Sequence, residues 1–204
     1  MDPKHLLEVF GVVGLLGIIF AETGLLIGFF LPGDSLLVFA GLVAARPAAS
    51  SVHVNLAVVL VGCSVAAIVG AQTGYWIGRR AGPAIFRRPD SRFFKREYVE
   101  KAHSYFDRYG AKTIIVARFI PIVRTFANVV AGVGTMSSQA FATFNVVGGL
   151  LWVLSVTLLG YALGKNIPHA EDHLLVIEGV VIALSLVPVA LEILRSRRSA
   201  SSRR

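Results

Sequence analysis

Phe30-Leu31-Pro32-Gly33-Asp34-Ser35 interrupts an otherwise apolar stretch that runs from Leu6 to Ala45. Proline fixes φ and has no N–H to give, so Pro32-Gly33 breaks a helix there. Asp34 sits at the break, placed to cap a return helix starting at Ser35. Glu22 lies deep in the apolar run before it. A greasy segment with a central break and two carboxylates reads as a membrane-embedded hairpin. Non-helical backbone at membrane depth is tolerated only where it is buried in protein or lines a wet cavity.

The rest of the chain supports a membrane setting. Its 204 residues are 55% hydrophobic, with a mean hydropathy of +0.70. A spanning helix needs roughly 20 apolar residues. The candidate segments are Leu6–Leu31, Leu36–Ala45, Val54–Ile77, Thr113–Met136, Phe141–Leu163 and Leu174–Leu194. They fit one domain over 1–194, with a basic tail over 195–204. Within it we read hairpin one over 5–45, a span over 54–78, an amphipathic helix over 91–109, hairpin two over 113–136, and spans over 138–164 and 173–194. Cleavage as a secretory leader is not expected, because the first apolar run far exceeds an h-region and Glu22 stands in the wrong place.

The net charge of +8 is concentrated. Half of the 20 basic residues lie between Arg79 and Lys112, and five more follow Leu194. Basic segments beside spans mark the cytoplasmic side. This pattern explains the charge without nucleic acid. It places Arg46–His53 outside and the C-terminus in the cytoplasm. The side of the N-terminus stays open, since Leu6–Leu31 is long enough to span alone. In Ser91–Tyr109, Phe94, Tyr98, Ala102, Tyr105, Phe106 and Tyr109 share one helical face, suited to the cytoplasmic interface.

Thr113–Met136 starts and ends on the cytoplasmic side by this topology, so it cannot cross once. Pro121 breaks it near its middle. Phe119-Ile120-Pro121 matches Phe30-Leu31-Pro32, and Ala131-Gly132 matches Ala40-Gly41. The following spans end alike, in Gly74-Tyr75-Trp76-Ile77-Gly78-Arg79 and Gly160-Tyr161-Ala162-Leu163-Gly164-Lys165. The expected fold is therefore all-α and membrane-integral: two opposed re-entrant hairpins plus transmembrane helices in an inverted repeat, as in secondary transporters. Gly62, Ala66, Gly70, Gly74 and Gly78 recur every four residues, a spacing that lets helices approach closely.

Four ionisable residues fall within the hairpins: Glu22 and Asp34 on the first, Arg118 and Arg124 on the second. A charge at mid-bilayer costs roughly 2.5–3.5 kcal/mol on insertion scales. If the hairpin tips meet, acids and arginines can pair. Guanidinium forks also suit phosphate oxyanions. A carboxylate beside them can take or release a proton as phosphate arrives or leaves. The lone cysteine, Cys63, reads as a small packing residue. The histidines lie at ends or in loops; His169 and His173 have a spacing that could hold a metal, but a polar external loop accounts for them.

Taken together, Phe20-x-Glu22, Phe30-Leu-Pro-Gly-Asp-Ser35, Gly74-Tyr75-x-x-Gly78 and Ala117-Arg118-Phe-Ile-Pro121-x-x-Arg124-Thr125 resemble the DedA family, relatives of the eukaryotic VTT-domain proteins. Gly132-x-x-x-Met136, Phe144-Asn145 and Gly149-x-x-Trp152 fit too, and the resemblance covers roughly residues 5 to 165. It implies two opposed hairpins in a bacterial inner-membrane protein that moves lipids. Undecaprenyl phosphate or another anionic phospholipid is the implied cargo, with links to the proton motive force and envelope homeostasis. The family's essential acid and arginine pairs map onto Glu22, Asp34, Arg118 and Arg124. The expected partners are lipid phosphate head groups and protons, with homo-oligomerisation open and no cofactor or metal. A channel or assembly factor, and an intramembrane lipid phosphatase, are the alternative readings; no Ser-x-x-Lys or Gly-x-Ser-x-Gly pattern marks a nucleophile.

Overall fold

A computed structural model describes residues 3–25, 31–46, 54–87 and 110–166. The expected amphipathic helix over 91–109, the last span over 173–194 and the tail over 195–204 lie outside the described residues. The described chain is all helix: α1 (Pro3–Gly24), α2 (Gly33–Ala45), α3 (Leu56–Arg87), α4 (Thr113–Ala117), α5 (Pro121–Val133) and α6 (Ser138–Asn166).

Two of these are long and apolar enough to cross a membrane, α3 over Leu56–Ala81 and α6 over Ser138–Asn166. Their outward faces are apolar, with Val61, Val65 and Trp76 exposed on α3 and Leu150, Leu151 and Leu158 on α6. A hydrocarbon surrounding calls for such faces. Asn55 precedes α3, and its Oδ1 accepts from the Ala57 N–H at 2.9 Å, an N-cap of the usual kind. It runs past the expected end at Ile77 to Arg87. Arg79 and Arg80 end an apolar segment, but arginine is a good helix former, so the helix does not stop with the hydropathy.

The other helices are short. Gly11 interrupts α1 with φ 59° and ψ −157°, a conformation glycine adopts without steric cost. The apolar part of α1 is thus Gly11–Gly24. α2 and α5 have 13 residues each, about 20 Å at 1.5 Å per residue, against a core of about 30 Å.

The second helix of each pair starts at the expected proline, but α1 ends at Gly24, seven residues before the expected Leu31. Pro32 is the N-cap of α2. Pro121 opens α5, where its missing N–H loses nothing, and Ile120 before it is extended at φ −110° and ψ 108°, as a residue preceding proline prefers. Between α4 and α5 the chain turns tightly: Arg118, Phe119 and Ile120 each donate their N–H three residues back, to Ile115, Val116 and Ala117 at 3.1–3.2 Å. Asp34 does not cap α2, as the sequence had suggested. The helix begins one residue before it, and no side chain caps it.

Packing crosses between the halves. α1 lies on α3 and α4 on α6, while α2 lies on α6 and α5 on α3. Glycines make both cross-contacts. A Cβ on Gly41 would strike the α6 backbone at Thr157 and Tyr161, and one on Gly160 would strike Val38. A Cβ on Gly132 would strike the α3 backbone at Tyr75 and Arg79, and one on Gly78 would strike Val129. Of the small-residue stripe on α3, Gly62 meets Leu16, Gly70 meets Phe20 and Thr23, and Gly74 meets Gly24. Cys63 is fully buried in the apolar core beside Ala67, Leu15 and Ile19.

Candidate functional site

Each break carries one charged residue on either side. Glu22 lies in the last turn of α1 and Asp34 in the first turn of α2. Arg118 follows the end of α4, and Arg124 lies in the first turn of α5. The aligned peptide dipoles make a helix N-terminus positive and a C-terminus negative. Asp34 therefore stands at a favourable end. Glu22 and Arg124 each stand at an unfavourable one, and they pair with each other.

Arg124 is the centre of the first group. Its Nη2 donates to Glu22 Oε1 and its Nη1 donates to Asp34 Oδ1 at 2.9 Å. The indole Nε1–H of Trp152 donates to the same Asp34 oxygen at 2.9 Å. The guanidinium also lies over the Trp152 ring, 4.5 Å from its centroid, within cation–π range. Both Arg124 and Glu22 are only 3% exposed, while Asp34 is partly open. Gly33 has room for nothing larger, because a Cβ there would land on the Glu22 carboxylate. The break thus needs glycine for close approach rather than for unusual backbone angles.

Two polar residues brace this group. Asn128, one turn after Arg124, donates through Nδ2 to the Thr23 carbonyl at 2.9 Å. The Thr23 hydroxyl donates back to the Ile19 carbonyl at 2.8 Å. The carbonyl at the end of α1 and the first turns of α5 are thereby held together.

Arg118 belongs to a different group. Its Nη2 donates to Asn145 Oδ1 on α6 and, at 3.5 Å, to the Ala67 carbonyl on α3. Asn145 Nδ2 in turn donates to the Ile68 carbonyl at 3.0 Å. Gly148 and Gly149 lie flat against the Arg118 side chain. Among the described residues no carboxylate pairs with Arg118. The expected pairing of two acids with two arginines is thus corrected: both acids go to Arg124. The register of the packed helices decides this, since Glu22 and Asp34 reach the first turn of α5 and Arg118 points between α3 and α6.

A third polar cluster lies where α3 meets the start of α6. The Tyr75 hydroxyl donates to the Met136 carbonyl at 2.5 Å and accepts from Arg79 Nη1 at 2.7 Å. Arg79 also reaches Ser138 Oγ at 3.0 Å. The Tyr75 ring stacks on Phe141, with centroids 4.4 Å apart. This cluster fixes the turn between α5 and α6.

Sequence reasoning singled out the four charges and the breaks. It did not assign site roles to Trp152, Asn128 or Asn145, although Asn145 and Trp152 stood among the quoted motifs. The signal for each was a polar or indole N–H in an apolar span, where a buried donor needs an acceptor.

A helical bundle with two apolar spans, broken short helices and a buried charge cluster defines an integral membrane protein built around a polar interior site. The VTT domain model matches residues 31–162. The chain is 47% identical over 184 residues to Protein DedA of Escherichia coli, covering 90% of this chain and 82% of that one. It is 44% identical over 209 residues to an uncharacterized membrane protein of Mycobacterium tuberculosis, covering 98% and 90%. The Inner membrane protein YqjA of Escherichia coli is 36% identical over 176 residues, covering 85% and 75%. No solved structure matches the chain. The chain belongs to the DedA family of membrane proteins.

Proposed function

We propose that this protein is a lipid carrier of the inner membrane that moves an anionic lipid, most simply undecaprenyl phosphate, from one leaflet to the other without covalent change. The observation that carries the reading is the quartet of Glu22, Arg118 and Arg124, all buried, with the partly open Asp34, at two helix breaks. Charges within an apolar bundle are costly and mark substrate or ion pathways in membrane proteins. Arginine is suited to phosphate because its planar fork matches the oxyanion. The acyl chain stays in the bilayer, so only the head group needs a polar path.

In this reading α1–α2 and α4–α5 are re-entrant hairpins entering from opposite faces. Their arms are shorter than the bilayer core, and each second arm packs on the span of the other half. That exchange is what an inverted repeat would produce. The packing offers a better register than the sequence did: Gly78 on α3 and Gly160 on α6 play equivalent parts, one turn away from the Gly74–Gly160 match. With α1 reduced to a short apolar arm after Gly11, the N-terminus falls on the same side as Arg46, and the basic C-terminal tail is cytoplasmic.

A proton accompanies the anion. The ionised quartet sums to zero charge, so an added oxyanion leaves an uncompensated negative charge. Protonation of Glu22 or Asp34 removes it. The test is reconstitution in liposomes with isotopically labelled undecaprenyl phosphate and phosphatidylethanolamine, with and without a proton gradient. Accelerated movement of the phosphate lipid supports a carrier. No acceleration of either lipid overturns it, and proton flux independent of lipid replaces it with a channel.

A further inference from the structure

The two arginines differ in what they leave unsatisfied. Arg124 is charge-compensated twice over, with Glu22 and Asp34 on its two Nη atoms. Arg118 is 2% exposed and among the described residues holds only neutral acceptors, the Asn145 amide oxygen and the Ala67 carbonyl, both on Nη2. Its Nε and Nη1 are buried with no hydrogen-bond partner among the described residues. A guanidinium is donor-only and permanently charged, so these N–H groups cannot be satisfied by changing protonation state. A buried, unpaired cation with idle donors is an expensive arrangement. It becomes favourable when an anion arrives.

The surroundings are built for this group. Asn145 is itself fully buried and anchored to α3 through the Ile68 carbonyl, so its amide oxygen is fixed and must face Arg118. Gly148 and Gly149 supply a wall without side chains: a Cβ at Gly148 would stand 3.0 Å from Arg118 Cδ, and one at Gly149 would stand 3.4 Å from Nη1. A neutral amide here is informative. An aspartate of almost the same shape would neutralise Arg118 outright and close the site to any other anion.

We infer that Arg118, positioned by Asn145 and backed by Gly148-Gly149, is the group that receives the phosphate oxyanion, while Arg124 remains locked to its two carboxylates. The inference rests on the carrier reading above and sharpens it. It divides the arginine pair into a receptor and an internal clamp, and makes Asn145 a positioning residue that keeps the receptor uncompensated. The ligand class is a phosphate monoester or inorganic phosphate, an oxyanion with several free oxygens for the idle donors.

The test measures binding of two probes to the purified full chain in detergent: radiolabelled inorganic phosphate and a short-chain polyprenyl phosphate. Saturable binding of both identifies the phosphate group as what is recognised. Binding of the lipid alone identifies a head group that needs its hydrocarbon anchor. In either case Asn145→Asp is expected to weaken binding by about tenfold or more, because a charged internal partner competes for the fork. The same variant gives the buried cation a counter-ion but removes the donor to the Ile68 carbonyl, so its thermal midpoint serves only to confirm that it folds. Asn145→Ala is expected to weaken binding less. Binding by folded Asn145→Asp equal to the parent overturns the inference, as does failure of the parent to bind either probe. If phosphate binds as expected but no lipid moves in liposomes, the carrier reading fails and the Arg118 site stands.

Discussion

Arg118 and Arg124 are six residues apart, on either side of one helix break, and both are buried. Arg124 has two carboxylates and an aromatic face. Arg118 has an amide and a carbonyl. The difference shows that a buried arginine is not one kind of object. One stabilises the meeting of the two broken helices; the other holds unspent donor capacity in an apolar surrounding. Removing the first should break the fold's centre, and removing the second should cost function with little stability.

The largest expected effect is that of Arg124→Ala. It leaves the buried Glu22 and the partly open Asp34 without their counter-charge, and breaking a buried pair in this way costs about 3–5 kcal/mol. Denaturant or thermal unfolding in detergent reads the loss. A change below about 1 kcal/mol would show that the clamp is not structural. Next comes Trp152→Phe, which keeps a ring beside Arg124 but removes the donor to Asp34. The expected cost is about 1–2 kcal/mol, from a hydrogen bond to a charged group and a weaker cation–π contact. Asn128→Ala, which frees the Thr23 carbonyl from α5, is expected to cost about 1 kcal/mol. The smallest expected effect on stability is that of Arg118→Met, within about 1 kcal/mol of the parent, because an apolar side chain of similar length replaces an uncompensated cation. Its effect on lipid movement should be complete. A strong stability loss in Arg118→Met would erase the contrast between the two arginines.

The parts of this fold that were legible in the sequence are those where local chemistry leaves few options. Proline suits a helix start, and Pro32 stands at the N-cap of α2 and Pro121 at the first position of α5. Glu22, Asp34, Arg118 and Arg124 stood out because a charge in an apolar run needs a reason. Family motifs were recognisable because several fixed spacings coincide. What was not legible depends on register and on choices among equivalent residues. Gly11, Gly14 and Gly17 are alike in sequence, and only the packed chain shows that Gly11 takes the left-handed turn. Asp34 looked like a cap, but the cap position fell two residues earlier, at Pro32, and its carboxylate was drawn to Arg124 and Trp152. Pairing of acids with arginines is decided by which helix faces meet, and no local rule assigns it. The motif match pairs Gly74 with Gly160, whereas the close contacts fall at Gly78 and Gly160, since contacts answer to depth along the helix and not to motif position.

The most direct measurement is the rate of undecaprenyl phosphate movement between leaflets of proteoliposomes, for the parent protein and for Arg118→Met at equal incorporation and confirmed folding. The expected result is rapid movement by the parent and none above empty liposomes for Arg118→Met. Equal rates for the two proteins would contradict the assignment of this buried charge site to a lipid phosphate, and no movement by either would contradict the carrier reading.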